Sequence, residues 1–304
     1  MKQFVVYTVM VGGYDNVEQP SVVDERFDYV LFTDSVEREQ VGVWQIRSIP
    51  FGNENPTRFS RYPKMHPEEL LSEYDASLYI DANIQIADRR VYERFIALYD
   101  EGIDWGGVKH PNPPFSGCIY DHAFVVLSNG LDTEQTVFRW CHKLRKEGYP
   151  KNNGLFENNI IYRRNNEVCR QVDAMWWKMY CDYSRRDQLS LFYVFWKHPS
   201  LRYGLFLPEG ERAINSELFN YGVHRASAPK SRSIKQNFFQ HARSRLRSGA
   251  DIKRRIKWNM FHYRLYALPV PIALAIVYVW GALATIVYGP IVKYYAYKRH
   301  KIQK

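Results

Sequence analysis

LYIDANI, residues 78–84, is the stretch on which the reading of this chain turns. Ser77 to Ile80 is an apolar run of strand composition. Asp81 and Asn83 follow it two residues apart, a spacing that turns both side chains the same way if the segment stays extended. Comparable runs rich in β-branched and aromatic residues stand at Phe4 to Met10, Tyr29 to Thr33, Trp44 to Ile46 and Trp105 to Val108. Helix-compatible segments lie around Arg58 to Leu71 and Arg89 to Glu101, and later at Thr133 to Glu147, Val168 to Tyr180 and Asp187 to Trp196. Strands alternating with helices predict an α/β fold, a Rossmann-like mixed and mostly parallel sheet flanked by helices.

A chain of 304 residues can bury one good core. A domain of about 200 to 250 residues with an appendage fits this length better than two equal domains. The formal net charge is +10, but its distribution matters more than its total. Residues 230–304 hold 16 Lys and Arg against the single Asp251, which leaves residues 1–229 at −5. Ser, Pro, Lys and Arg dominate from Ala226 onward, so a globular domain over 1–229 and a basic tail over 230–304 are expected. Cys118, Cys141, Cys169 and Cys181 have neither C-x-x-C spacing nor the density of a disulfide framework, and read as reduced thiols. The apolar run Phe4 to Val11 lacks a small-residue cleavage site and leads into Gly12-Gly13-Tyr14-Asp15, so it reads as a first strand and not a leader.

The tail has a lipid-suited pattern. Ile234, Phe238, Ala242 and Leu246, then Ile252, Ile256 and Met260, recur at helical spacing among many Arg and Lys, a basic amphipathic arrangement. It leads into 28 charge-free residues, Leu265 to Val292, long enough to enter or cross a bilayer of about 30 Å. Pro269, Pro271, Gly281, Gly289 and Pro290 interrupt that stretch. Both flanks are basic, with 11 Lys and Arg in 230–264 and 5 in 293–304. A re-entrant or interfacial anchor with both flanks in the cytoplasm satisfies the charge rule better than a span. The alternative is a buried helix of a soluble domain.

Expelling a nucleoside diphosphate requires oxygen ligands for a hard divalent cation that clamps the leaving oxygens. Asp81 and Asn83 form a D-x-N variant of the short acidic metal motif, though both residue types also form turns at strand ends. Arg58, Arg61 and Lys64 recur every three residues, so on a helix they share a face that meets a diphosphate or a sugar, or else a solvated basic face. TVMVGGYD, residues 8–15, places glycines after the first strand, where a nucleotide lies in open α/β sheets or where a plain turn sits. In SRRDQL, residues 184–189, Asp187 can hold donor-sugar hydroxyls and Gln188 can lie against the reacting carbon, or Asp187 is simply a helix cap. Glu157 is a candidate acceptor contact or base. Trp176 and Trp177 either stack on a sugar or fill a core. His224 is the candidate third metal ligand, with His198 next. The histidines show no H-x-x-x-H pattern, so zinc catalysis is not supported, and no G-x-S-x-G, Walker or Rossmann fingerprint appears in the sequence.

Taken together, TVMVGGYD, Phe32-Thr33-Asp34, RFSRYPKMHP (58–67), LYIDANI, His110-Pro111, Cys118-Ile119-Tyr120, GLFENNIIYRR (154–164) and SRRDQLSLFYV (184–194) resemble the hexosyltransferase family catalogued as domain of unknown function 616. The resemblance covers residues 4 to about 225 and lies in the order and spacing of the segments. It implies a GT-A-like glycosyltransferase fold, a nucleoside diphosphate sugar donor and a Mn2+ or Mg2+ ion bound through Asp81. It also implies substrate contacts at Thr8, Gly13, Tyr14, Asp34, Arg58, Arg61, Lys64, His110 and Arg186. The Asp187-Gln188 pair is similar to one in the retaining galactosyltransferase and glycogenin family, which points to retention. The chain departs from the pattern at Asn112 to Gly117, where an arginine is expected before the cysteine, and at Asp121-His122, where acidic residues are expected.

The resulting expectation is a membrane-associated hexosyltransferase acting on a glycan or lipid-linked acceptor in surface polysaccharide synthesis. Its catalytic domain would face the cytoplasm at the inner membrane, held there by residues 230–304. A non-catalytic membrane-bound adaptor that retains a nucleotide-sugar-binding fold is the competing reading. Nucleic-acid binding through 230–264 is disfavoured by the charge-free run that follows.

Overall fold

The computed structural model describes residues 2–12, 17–34, 37–52, 55–111, 117–222, 263–280 and 282–283. The chain divides into two compact units, one of Met1–Asn112 with Asn153–Ala228 and one of Pro113–Asn152 with Pro229–Lys304. One seam falls at Ala228/Pro229. The other lies inside the 1–229 domain expected from sequence, because residues 113–152 associate with the C-terminal segment.

The first unit is α/β. Its eight-stranded sheet is built from β1 (Phe4–Met10), β2 (Phe27–Thr33), β3 (Gln40–Val41), β4 (Trp44–Ser48), β5 (Ala76–Ile80), β7 (Trp105–Lys109), β8 (Phe156–Arg164) and β9 (Tyr203–Leu205). The order across the sheet is β3-β4-β2-β1-β5-β8-β7-β9. The pairs β4/β2, β2/β1, β1/β5 and β7/β9 are parallel, and β8 runs antiparallel to both β5 and β7. Two short strands, β6 (Ile84–Ile86) and β10 (Phe219–Tyr221), pair separately. The helices of this unit are α1 (Pro56–Met65), α2 (Pro67–Leu70), α3 (Arg90–Asp100), α6 (Glu167–Asp182) and α7 (Leu191–Lys197).

The single helix expected over Arg58 to Leu71 is two helices, because Pro67 drives His66 out of the helical region, to φ −135° and ψ 45°. The helix expected from Asp187 begins instead as a 3-10 turn, Asp187–Leu189, followed by α7. The central strand β8 is absent from the strands read off the sequence. Glu157, Asn158, Asn159, Arg163 and Arg164 break its apolar pattern, although seven of its nine residues are buried.

Period-two alternation sends the strand side chains to two faces. On one, Phe95 of α3 packs against Phe4, Phe27 and Tyr162 at ring distances of 5.0, 4.8 and 4.9 Å. The other face carries Tyr7 and Arg163 beneath α1 and α6. Arg163 is 1 % exposed and donates to Asp173 on α6 at 2.6 Å, to the Tyr7 hydroxyl and to the Lys64 carbonyl at 2.7 Å. A buried guanidinium is tolerable only when its charge is matched and most of its donors are used.

In the second unit, α4 (Ile119–Ser128) and α5 (Glu134–Lys146) pack together, and Tyr266 sets its ring against Tyr120, Phe124 and Phe138. Arg145 and Lys151 both sit over the ring of Tyr263, at 3.6 and 4.1 Å. Among the described residues no helix is long and apolar enough to cross a membrane. The basic amphipathic segment expected over 234–260 lies outside them.

Replacing Arg163 by Ala leaves Asp173 buried beside Glu68 without its cation, and is expected to cost about 3–5 kcal/mol in urea unfolding. The double replacement Arg163→Met with Asp173→Leu should recover most of that loss.

Candidate active site

The strand order fixes where a ligand can enter. From β1 the chain continues to β2 and β4 on one side, then crosses to β5 on the other, so a crevice opens beyond the carboxyl ends of β1 and β5. Tyr7 pairs with Tyr79 across these strands, which sets Thr8 and Asp81 at that end of the sheet. Opposite them, β8 is bulged. Gly107 pairs with Ile161 but the adjacent Val108 pairs with Glu157, so Asn158, Asn159 and Ile160 have no partner in β7. Gly107 permits this, since a Cβ there would come within 2.2 Å of the Phe156 ring. The Asp81 N–H donates to the Asn159 carbonyl at 2.9 Å, joining the bulge to the LYIDANI turn.

A cavity of about 210 Å3 lies between these elements. Its charged lining is Arg61, Lys64, Arg186 and Arg212 against Asp81, Glu157 and Asp187. Lys64, 2 % exposed, donates to Asp187 at 2.7 Å, and the Nε of Arg61 is 3.8 Å from the same oxygen. Burial would push the Asp187 carboxyl up, but Lys64, Arg61 and Arg186 outweigh it and hold the group well below the usual carboxylate range. The Nε1 of Trp176 donates to the Asp187 carbonyl at 3.1 Å, and the Gln188 N–H donates to the Asp187 side chain at 3.0 Å.

Asp81 is held differently. The Tyr79 hydroxyl donates to its Oδ1 at 2.7 Å, and Lys64 lies 4.8 Å from the centroid of the Tyr79 ring. Burial first, and then Asp81, push the Tyr79 hydroxyl well above its ordinary pKa, so it stays a donor. Glu157 is bound by Arg212 through Nε at 2.8 Å and through the terminal nitrogen at 2.5 Å. Asn158 is 4 % exposed, and neither atom of its amide has a hydrogen-bond partner among the described residues. The same holds for Oδ1 of Asn159 and Nε of Arg186. Each unmet buried group costs about 1–3 kcal/mol, which marks this wall as built for something that enters the cleft.

Of the residues singled out in the sequence, Arg61, Lys64, Asp81, Glu157, Arg186, Asp187 and Gln188 line the one cavity. Others lie elsewhere. Asn83 does not turn with Asp81, because the chain leaves the extended form there: Ile84 N–H bonds to the Asp81 carbonyl at 2.9 Å, and the Asn83 amide donates to the Gly222 carbonyl at 2.8 Å. Arg58 reaches the Cys181 carbonyl at 3.1 Å and is not in the cavity lining. Thr8 is buried at the sheet end with its hydroxyl unpaired among the described residues, and Asp34 accepts from the Gly12 N–H at 2.9 Å. His110 lies outside the lining; burial lowers its pKa, with Glu157 opposing. His198 is tied to the Val194 carbonyl at 2.8 Å, and Trp176 is fully buried against Trp105. Gly13, Tyr14 and His224 fall outside the described residues.

Asn158, Asn159, Arg212, Ile214 and Tyr221 line the cavity without having been assigned a role from sequence. The Asn158-Asn159 pair inside GLFENNIIY, two amides interrupting an apolar run, was the available signal. Among the described residues no group of three His, Cys, Asp or Glu side chains converges to hold a metal. No protein-family model and no curated protein matches this chain.

Because Asp187 is held below its ordinary pKa, the stability it contributes is present above about pH 4 and lost as pH falls below that value. Denaturation measured across this range should show the loss. In Asp187→Asn the slope should flatten, with stability lower by about 3 kcal/mol at neutral pH because Lys64 remains buried without its partner.

Proposed function

We propose that this protein is a metal-dependent hexosyltransferase of GT-A-like architecture, transferring a sugar from a nucleoside diphosphate to a glycan or lipid-linked acceptor on the cytoplasmic face of a membrane. The observation that carries this reading is the meeting, beyond the carboxyl end of β5, of the Asp81 carboxylate, three basic side chains from α1 and the SRRDQL turn, and the bulge amides Asn158 and Asn159, with polar atoms that have no partner among the described residues. Such a cleft complements a ligand that joins a polyanion to a polyhydroxylated ring.

The donor set suits one hard cation shared with a diphosphate. Asp187 and Glu157 are already paired with Lys64 and Arg212, which leaves Asp81 as the carboxylate to hold Mn2+ or Mg2+, with the unpaired Oδ1 of Asn159 as a second oxygen. One or two protein carboxylates with the rest from phosphate is a common arrangement for Mg2+. When bound, the cation neutralises charge on the departing diphosphate. Tyr79 fixes the Asp81 carboxylate from behind. Arg61, Lys64 and Arg186 present N–H donors to phosphate oxygens. Gln188 and Asn158 offer amides to sugar hydroxyls. Glu157, with Oε1 already bound by Arg212, is placed to orient an acceptor.

Thermal shift with a panel of nucleoside diphosphate sugars should show one or more that stabilise the protein only with Mn2+ or Mg2+. Asp81→Ala should lose the metal dependence and reduce transfer about a hundredfold or more. Full activity in that variant removes the metal assignment, and no nucleotide-dependent shift at all leaves the adaptor reading. Asn158→Ala should be as stable as the parent or more so, since it removes two unmet groups, while losing the part of the shift that the sugar adds over the bare diphosphate.

A further inference from the structure

In the unit that contains residues 229–304, residues 270–280 form a helix whose outward surface is unsuited to water. Ala273 and Val277, one turn apart, are buried. Ile272, Ala275 and Val279 stand on another side at helical spacing and are exposed, and Tyr278, Trp280 and, beyond the helix, Leu283 are about half exposed. Single exposed apolar residues are ordinary on a protein surface; a continuous stripe without one polar residue is not. A helix apolar on both faces is one that is covered on both faces in use.

Charge identifies the cover. The sequence has no charged residue from Leu265 to Val292, yet 11 Lys and Arg lie in 230–264 and 5 in 293–304, with Asp251 the sole acidic residue of the tail. A second copy of this chain would bring the same basic flanks together and be repelled, whereas an anionic lipid surface attracts them, by roughly 1 kcal/mol for each basic residue near it. Trp and Tyr favour the level of the headgroups. Flanks of one sign on both sides favour a helix lying in the boundary over one that carries its C-terminal charges across.

We propose that the face formed by Ile272, Ala275 and Val279, together with the exposed Trp280 and Leu283 at and beyond the helix end, is a lipid-binding surface that lies along an anionic membrane at headgroup depth. The inference rests on the membrane association proposed above and gives it a surface, and it is independent of the donor chemistry.

The test uses the full chain and vesicles of phosphatidylcholine, alone or mixed with phosphatidylglycerol. The parent should sediment with the mixed vesicles and release in high salt. The triple variant Ile272→Ser, Val279→Ser, Leu283→Ser should bind about tenfold or more weakly, with unchanged thermal unfolding and unchanged response to nucleoside diphosphates. Lipids brominated at shallow or deep positions should quench the parent most strongly when shallow, and Trp280→Phe should lose that quenching. Undiminished binding of the triple variant overturns the proposal. So does strongest quenching at the bilayer centre, which marks a span. A concentration-dependent dimer that the triple variant abolishes, without vesicle binding, also overturns it in favour of self-association. Vesicle binding without any nucleotide response would sink the enzymatic reading and leave this surface standing.

Discussion

Lys64 and Asp187 are 123 residues apart in sequence and 2.7 Å apart in the fold, and both are almost fully enclosed. Taking two charges out of water costs several kcal/mol each, and their attraction offsets that cost only when the geometry is held from all sides. Here it is. Arg163 grips the Lys64 carbonyl from the sheet, Trp176 grips the Asp187 carbonyl from α6, and the Gln188 N–H takes a carboxylate oxygen. The pair fastens α1 to the turn that begins α7, and these two elements supply Arg61, Arg186 and Gln188 to one side of the cleft.

The other side of the cleft comes from an irregularity. A regular β8 would pair Asn158 to Ile160 with β7 and continue the sheet. The bulge releases them from β7, and Asn158 is left buried with neither amide atom met among the described residues. A stretch optimised for stability would not keep such a residue, and its persistence beside Asp81 and Gln188 is the physical basis for reading the cavity as a place where a ligand completes the hydrogen bonding.

Much of the sheet could be read from composition, since β1, β2, β4, β5 and β7 are apolar runs bounded by turn residues. The residues of the cleft were largely legible too, because carboxylate, amide and basic clusters stood at the ends of those runs. The pairing of those clusters was not. Asp187, read as a sugar contact or a helix cap, is engaged by Lys64; Glu157, read as an acceptor contact or a base, is engaged by Arg212. Asn83 looked like a partner to Asp81, but a backbone hydrogen bond closing the turn after Asp81 sends it to Gly222 instead. Strand β8 escaped notice because its polar residues serve the cleft and so erase the periodicity that marks a strand.

Local chemistry therefore settled what the sequence can settle alone: most of the strands and helices, where charge concentrates, and which residue types are available beyond the strand ends. These follow from interactions within a few residues, which are written in order along the chain. Strand order, the register shift at Gly107 and the choice of partner for each buried charge came only with the tertiary structure. They depend on contacts between residues from ten to more than a hundred positions apart, and the desolvation cost that selects one charge pairing over another exists only once the chain has closed around them.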